Sequence, residues 1–305
     1  MPILAARTDD VDEFVEIHNR VVPDDPTDAE EMGSWMSQAL AFQLFAASDG
    51  SRTIGVALGG LFPQRPQVHA EVLVPQESRR RGAGTALYEE LSRWAAEQGR
   101  DQIEVWVRDS DPVGIEFAEK RGFVVDGREL MVALELTATE TPAVEPPPGL
   151  EIVTWADRPE LARGIYEVAC EVSPDIPGNE NDQMEPFEDW LAHDMQGSGD
   201  RPEATFLAVA GDEVVGYSKF SLSNAQPKTA HHDLTGVKRA WRGRGVARAL
   251  KHAQIRWAKE AGYERLVTGN EERNEPIRRL NDRLGYRPWN GRTLLKGPLA
   301  SANEP

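Results

Sequence analysis

Two short stretches place arginine and glycine where a loop runs into a helical pattern: RRRGAG at 79–84 and RGRGVA at 242–247. Without Cβ atoms, the backbone at such glycines reaches otherwise forbidden dihedrals and lets a ligand come close to the main chain. The first-turn amides of a helix have no partner within it, and the helix dipole favours negative charge beside them. The chemistry that fits is the grip of an anion, with a phosphate group as the natural guest; the competing reading is a solvated face studded with Lys and Arg. Spacing excludes two other phosphate motifs. A P-loop needs Gly-Lys-Ser/Thr after the second glycine, and a dinucleotide fingerprint needs a third glycine where Arg248 stands. No G-x-S-x-G elbow occurs, since QGSGD at 196–200 has the wrong spacing, and the one cysteine, Cys170, reads as a helix-face residue rather than a nucleophile.

The two stretches belong to a repeat. RRRGAGTALYEELSRWAAEQG (79–99) lies over RGRGVARALKHAQIRWAKEAG (242–262), with Arg79, Arg81, Gly82, Leu87, Trp94 and Gly99 meeting identical residues. In the same register KRGF, ending at Phe123, meets RLGY, ending at Tyr286. Two copies are too few for a solenoid, so each closes its own core. The division predicted is a first domain at 1–137, a Pro-rich linker at 138–148 and a second domain at 149–305.

Each copy must position its turn between a strand and a helix. In the second, LEIVTW predicts a strand, RPELARGIYEVACEV a helix, and TFLAVAGDEVVGYSKFSL a hairpin broken at Gly211 and Asp212. HHDLTGV is the strand that enters the turn; Val246, Leu250, Ala253 and Trp257 then share one helix face. ERLVTG is a further strand, and EPIRRLNDRLG a closing helix with Gly285 as its stop. The first copy repeats the scheme, with Ala83, Leu87, Leu91 and Trp94 as its stripe.

The 305 residues carry 34 Lys+Arg against 51 Asp+Glu, a formal charge of -17, of which -14 falls in residues 1–148. That field disfavours nucleic acid as a partner. No apolar run approaches a membrane span, no targeting segment opens the chain, and a lone cysteine fits a reducing compartment, so a cytoplasmic location is expected.

The order strand, VKRAWRGRGVARAL, helix, strand, NEERNEPIRRLNDRLGY closely resembles the acyl-CoA-binding core of the GNAT superfamily of N-acyltransferases, and VPQESRRRGAGTAL through FAEKRGF resembles it again. The resemblance implies an α/β (α+β) fold: two tandem domains, each a mixed, mostly antiparallel central sheet flanked by helices. It implies that the pyrophosphate of coenzyme A rests on backbone amides around Arg242, Gly243, Arg244, Gly245, Val246 and Ala247, and around Arg79, Arg80, Arg81, Gly82, Ala83 and Gly84 in the first copy. The strands ending at Val237 and Val74 would pair with the pantetheine arm, Asn274 would contact it, and Lys238, Arg239, Arg248 and Lys251 would reach the 3′-phosphate. Acetyl-CoA is the implied cofactor and a small-molecule amine the implied partner, handled by a monomer or homodimer.

The copies depart from the family pattern. Pro75 directly follows Val74, Arg239 stands at the usual proline site, and Ala118 and Asn281 occupy the position where the family often places a thiolate-protonating tyrosine. A thiol leaves more readily than an alkylamine arrives deprotonated, so the base matters more than the acid. Asp233 with His232, and Glu71 with His69, lie on the strands expected to line the acyl site, and Asp233 and Glu71 are the candidate bases. His231 and His232 point to opposite strand faces, which disfavours a shared metal. The acidic run from Glu180 to Asp194, with Asn179 and Asn181, is a candidate cation-attracting mouth or a solvated helix with Phe187, Trp190 and Leu191 inward. An acyl-CoA-binding protein without turnover remains the alternative function.

Overall fold

A computed structural model describes residues 3–50, 52–62, 65–176 and 184–300. Asn179, Glu180 and Asn181 lie outside them. Two compact units emerge, Met1–Glu129 with Asn290–Pro305, and Leu130–Trp289. No helix among the described residues is long and apolar enough to cross a membrane.

The first unit runs β1 (Leu4–Thr8), α1 (Val11–Val21), α2 (Ala29–Gln38), β2 (Ala41–Ser48), β3 (Thr53–Leu61), β4 (Val68–Leu73), α3 (Ala83–Glu97), β5 (Gln102–Arg108) and α4 (Pro112–Glu119), followed by β6 (Val124–Glu135), which begins in this unit. Its strands lie in the order β1-β2-β3-β4-β5, and β12 (Arg287–Pro298) then pairs with β5. Asp10, Asp28 and Asp111 cap α1, α2 and α4 by accepting from the amide three residues on, as short polar side chains at a helix start do.

The second unit runs β7 (Glu151–Thr154), α5 (Ala162–Val172), α6 (Phe187–Asp194), β8 (Phe206–Ala210), β9 (Glu213–Leu222), β10 (Thr229–Val237), α7 (Val246–Glu260), β11 (Arg265–Glu271) and α8 (Glu275–Arg283). Its strand order is β11-β10-β9-β8-β7, with the later part of β6 beside β11. The hairpin turns at Gly211, φ +63°, as the sequence pattern predicts. The ladders β1 to β4, β7 to β10 and β5 with β12 are antiparallel, whereas β4 with β5 and β10 with β11 are parallel, as a strand, helix, strand crossover requires.

Each sheet is buried on both faces. In the first unit, Ala83, Leu87, Leu91 and Trp94 of α3 pack with Phe45, Ile54 and Ile103, and the other face meets Phe14 and Ile17 of α1 and Met32 of α2. In the second, Val246, Leu250 and Ala253 of α7 pack with Phe206, Phe220 and Leu266, while Ile165 and Val168 of α5 and Trp190 of α6 cover the opposite face. The apolar stripes are core in both copies.

The compact units are drawn differently from the homologous halves. The closing strand of the first unit comes from the chain's last described segment, and the second unit gains the end of β6. Residues 139–150 form neither helix nor strand, and their carbonyls accept hydrogen bonds from α7: His252 donates to Ala143 O at 2.8 Å, Arg256 to Pro142 O at 3.1 Å, and Lys259 to Thr139 O. Proline, which cannot donate into a ladder, thus leaves a strap that lies along this helix.

Candidate active site

Each crossover pair holds together over only three residues before separating. In the first unit Val68, His69 and Ala70 pair with Ile103, Glu104 and Val105; in the second Thr229, Ala230 and His231 pair with Arg265, Leu266 and Val267. Beyond those pairs, Glu71–Leu73 face no partner in β5, and His232–Val237 face none in β11. Main-chain groups left open in this way are the kind an amide-bearing, extended ligand can pair with.

At the mouth of the second cleft the chain leaves β10, makes a 3-10 turn at Arg239–Trp241 and enters α7 through Gly243 at φ +73° and Gly245 at φ +91°. A Cβ on Gly243 would meet nothing within 4 Å, and one on Gly245 only Arg248 Nη2 at 3.8 Å and Pro147 Cγ at 4.0 Å. These glycines are needed for their dihedrals and leave open space beside the helix start. No side chain caps α7, so its first amides remain available. The first unit enters α3 through Arg80 at φ +62° and Gly82 at φ +97°, again with no side-chain cap. Arg80 stands where the second copy has Gly243 and is the single non-glycine residue at positive φ among the described residues.

The arginines that lead both turns reach back to the end of the preceding strand. Arg242 Nε donates to Val237 O at 2.9 Å, and its Nη2 lies 2.7 Å from Asp175, which also receives Arg239. These two guanidiniums hold the Asp175 carboxyl below its ordinary range. Arg79 Nε likewise donates to Val74 O at 3.1 Å, and its fork takes both oxygens of Asp111. The side chains of Arg79 and Arg242 therefore brace the turn from its strand end. Lys238 pairs with Glu213 at 2.9 Å. Lys251 is 1% exposed in the core, which corrects its expected reach toward a phosphate. Arg244, stacked over Trp241 at 5.0 Å, and Arg248 are exposed, and among the described residues no carboxylate pairs with either. In the first copy Arg81 is held by Asp49 at 2.6 Å.

The candidate bases sit differently in the two copies. Val68 meets Ile103 as Ala230 meets Leu266, yet beyond this point Val74 corresponds to Val237, so β10 carries one extra residue. That residue is Asp233, at a break in the β9–β10 register between His232 and Leu234. Such a bulge re-aims a side chain and bends the strand. The structural counterpart of Glu71 is Leu234, and that of His69 is His231. Asp233 lies 2.9 Å from Lys219 Nζ, which also meets Asp200 at 2.8 Å and the carbonyl of Asp194. Burial opposes the charge on Lys219, but the three aspartates outweigh it and raise the lysine's pKa. Asp194 is pushed up to about 6, chiefly by desolvation and against the pull of Lys219.

In the first unit Glu71 faces His18, with Oε2 3.4 Å from Nδ1, and His18 Nε2 lies 3.1 Å from Asp25 O. Burial works against the imidazolium, yet Glu71 and Asp25 together raise the His18 pKa. His69 instead contacts buried Glu104 at 3.4 Å, amid Trp35 and Phe62.

On α8, Asn274 occupies the N-cap with its side chain unused for capping. Asn281, where a tyrosine acid was sought, is buried and donates to Asn270 at 3.0 Å; Ala118 is buried too. His232 bonds Tyr286 in the core, where burial lowers the imidazole's pKa, and His231 meets Gln226 at 2.9 Å, so the two histidines diverge. Sequence reading missed Lys219 and His18. Lys219 had a signal, since alternation along β9 places it two residues from buried Tyr217, on the same face. His18, on a helix facing β4, had none.

A family model described as "Acetyltransferase (GNAT) family" matches residues 7–123 and 163–286. A mycothiol acetyltransferase of Catenulispora acidiphila is 28% identical over 225 residues, covering 71% of this chain and 68% of the relative. One of Nocardiopsis dassonvillei is 25% identical over 291 residues, covering 85% and 83%. Among solved structures, a tandem GNAT protein from the clavulanic acid biosynthesis pathway superposes with TM-score 0.77 at 20% identity, covering 99% of this chain and 100% of the other. A GCN5-related N-acetyltransferase from Sphaerobacter thermophilus gives 0.76 at 21%, covering 99% and 98%. At such identities the structures speak for the fold.

Proposed function

Because the chain belongs to the acetyltransferase (GNAT) family, whose model spans more than half of it in two regions, we propose that its second unit transfers acetyl from acetyl-CoA to a primary amine of a small molecule. The observation that carries this reading is the coincidence, in one unit, of an uncapped helix start behind Gly243 and Gly245, a cleft between β10 and β11, and a carboxylate-bearing bulge at the cleft. The residues present fit the coenzyme: open space beside two glycines, first-turn amides without side-chain caps, and unpaired Arg244 and Arg248 at the rim.

Acetyl-CoA, when bound, supplies the activated thioester. The amides from Gly245 to Ala247 hold its diphosphate, Arg244 and Arg248 offset its remaining charge, and the open edge of β10 through Val237 orients the arm. A β10 amide near the bulge polarises the thioester carbonyl, and such a fixed donor is worth about 10²–10³ in rate. A carboxylate beside the bulge accepts the amine's proton. With Asn281 and Ala118 at the acid's position, the thiolate departs without a side-chain proton donor there.

The first unit shares the turn but lacks the bulge, and its Glu71 faces His18. This favours a second reading for that unit, as a holder of coenzyme that does not turn over. A single cysteine supports work in a cytoplasm.

The test is release of free thiol from acetyl-CoA by the full chain across a panel of primary amines. Steady, amine-dependent release is expected. Thermal stabilisation by acetyl-CoA with no release on any amine would leave a coenzyme binder instead.

A further inference from the structure

Three carboxylates and one lysine meet on the α5–α6 face of the second sheet. Lys219 of β9 is 3% exposed, and in the first copy the same register position holds the buried Leu58. An ammonium has three N–H donors. Here they are committed to the carbonyl of Asp194, to Asp200 Oδ1 at 2.8 Å and to Asp233 Oδ2 at 2.9 Å. The carboxylate of Asp194 is left 3.9 Å from Nζ and, among the described residues, receives a donor from Trp190 on its own helix. Beneath the cluster, the hydroxyl of Tyr217 is fully buried, has no hydrogen-bond partner among the described residues, and feels the charges of both Asp194 and Asp233. An unsatisfied buried hydroxyl calls for a partner, and the Asp194 carboxylate, open to solvent, lies beyond hydrogen-bond distance of Lys219 and so is free to take a ligand's donor.

Building on the proposed acetyl transfer, we propose that Asp194, and not Asp233, takes the proton of the incoming ammonium. Asp233 is the bulge residue, but its Oδ2 is already held by Lys219 at 2.9 Å, a charge pair that weakens it as a base. The Asp194 side chain is 43% exposed and meets the same Lys219 Nζ as the bulge residue, at 3.9 Å, so an amine on its open side lies beside Asp233. The substrate ammonium gives one proton to the Asp194 carboxylate. The nitrogen lone pair then attacks the thioester carbonyl carbon, the C–N bond forms, and the C–S bond breaks with its electron pair leaving on the thiolate. The second nitrogen proton passes to solvent, leaving the amide.

The groups facing Asp194 are Lys219 and Tyr217 of β9, Asp233 of β10, Asp200 after α6, and Trp190 on α6, with the His193–Glu185 pair at 3.0 Å on the outer side of that helix. Desolvation and the two neighbouring aspartates raise its proton affinity, Lys219 opposes them, and the outcome is about 6. From the ordinary 3.8, that shift makes the carboxylate about 100-fold stronger as a base, nearer the pH at which it would work.

The experiment measures kcat/KM for thiol release from pH 5 to 9 on the full chain, Asp194→Asn and Asp233→Asn. The wild type is expected to lose rate below about pH 6, and Asp194→Asn to fall by about 100-fold or more and lose that acid limb. Asp233→Asn is expected to retain the limb. An Asp194→Asn enzyme that keeps both rate and limb overturns the assignment. Should no amine support release, the carbon-13 titration of the aspartate carboxyls decides separately. An Asp194 midpoint near 6 that moves when the probe n-butylamine is added supports the inference, and a midpoint near 4 that ignores it overturns the inference, so the two failures stay distinguishable.

Discussion

Arg242 Nε donates to the carbonyl of Val237 at 2.9 Å, closing the turn between β10 and α7 from the inside. Arg79 and Val74 repeat the contact at 3.1 Å. The arginine sets the path of the backbone, and the glycines after it free the amides.

Arg242→Ala should therefore weaken acetyl-CoA binding without removing a direct phosphate contact. A hydrogen bond from a charged donor is worth about 1.5–3 kcal/mol at most, and this one is part-exposed, so a loss of about 10-fold in calorimetric affinity is expected. Arg242→Lys should not restore it, because an ammonium cannot bridge Val237 and Asp175 in one plane. Unchanged affinity in both variants would remove the brace from the account.

Arg80 and Gly243 make a matched pair of opposite tests. Arg80→Gly should leave the fold intact or raise its melting temperature, since a non-glycine residue in the left-handed region costs about 1–2 kcal/mol. Gly243→Ala should destabilise by a similar ~1 kcal/mol through strain alone, because its Cβ would meet nothing. Chemical denaturation of both variants checks the signs.

Lys251 titrates at about 7 because its ammonium is desolvated in the core. Its folded pKa is depressed below the unfolded value, so the penalty is fully present below about 7 and is relieved as pH rises toward 10.5. Lys251→Met should stabilise by on the order of a few kcal/mol at pH 6, and by less at pH 9. Denaturant midpoints at the two pH values measure the difference, and an equal gain at both would contradict the buried charge.

Lys219→Met should behave in the opposite sense. Removing the cation leaves Asp194, Asp200 and Asp233 facing one another; only the Asp200 side chain is nearly buried, and water screens the other two, so the cost is roughly 1–3 kcal/mol near neutral pH. Crowded carboxylates have raised folded pKa values, so that cost is full above them, shrinks as pH falls, and is gone only below the ordinary aspartate value of about 3.9, where the groups are neutral in both states. Melting temperatures at pH 4.5 and 7.5 should converge and diverge accordingly.

Much of this architecture could be read from residue patterns because it rests on local rules. Alternation and the Gly211 turn gave the β8–β9 hairpin, the stripes gave α3 and α7, and the repeat gave the doubling. What escaped was non-local. A one-residue bulge at Asp233 leaves no mark in composition, yet it re-pairs every residue upstream and separates Asp233 from Glu71 as counterparts. Lys219 meets aspartates from α6, the loop after it and β10, which only folding brings together. The pairing of β12 with β5 is likewise a matter of which strand edge is open, and no propensity encodes it. Arginine type alone could not separate Arg242, a brace, from exposed Arg244, because both suit an anion equally until the side chain's direction is known.

The most direct measurement is a calorimetric titration of acetyl-CoA into the full chain and into a Gly245→Glu, Gly82→Glu double variant. Saturable heat in the parent, lost in the variant while its circular dichroism stays native, is the expected result. A parent that yields no heat, or a folded variant that binds as the parent does, would contradict a diphosphate held by the helix-start amides.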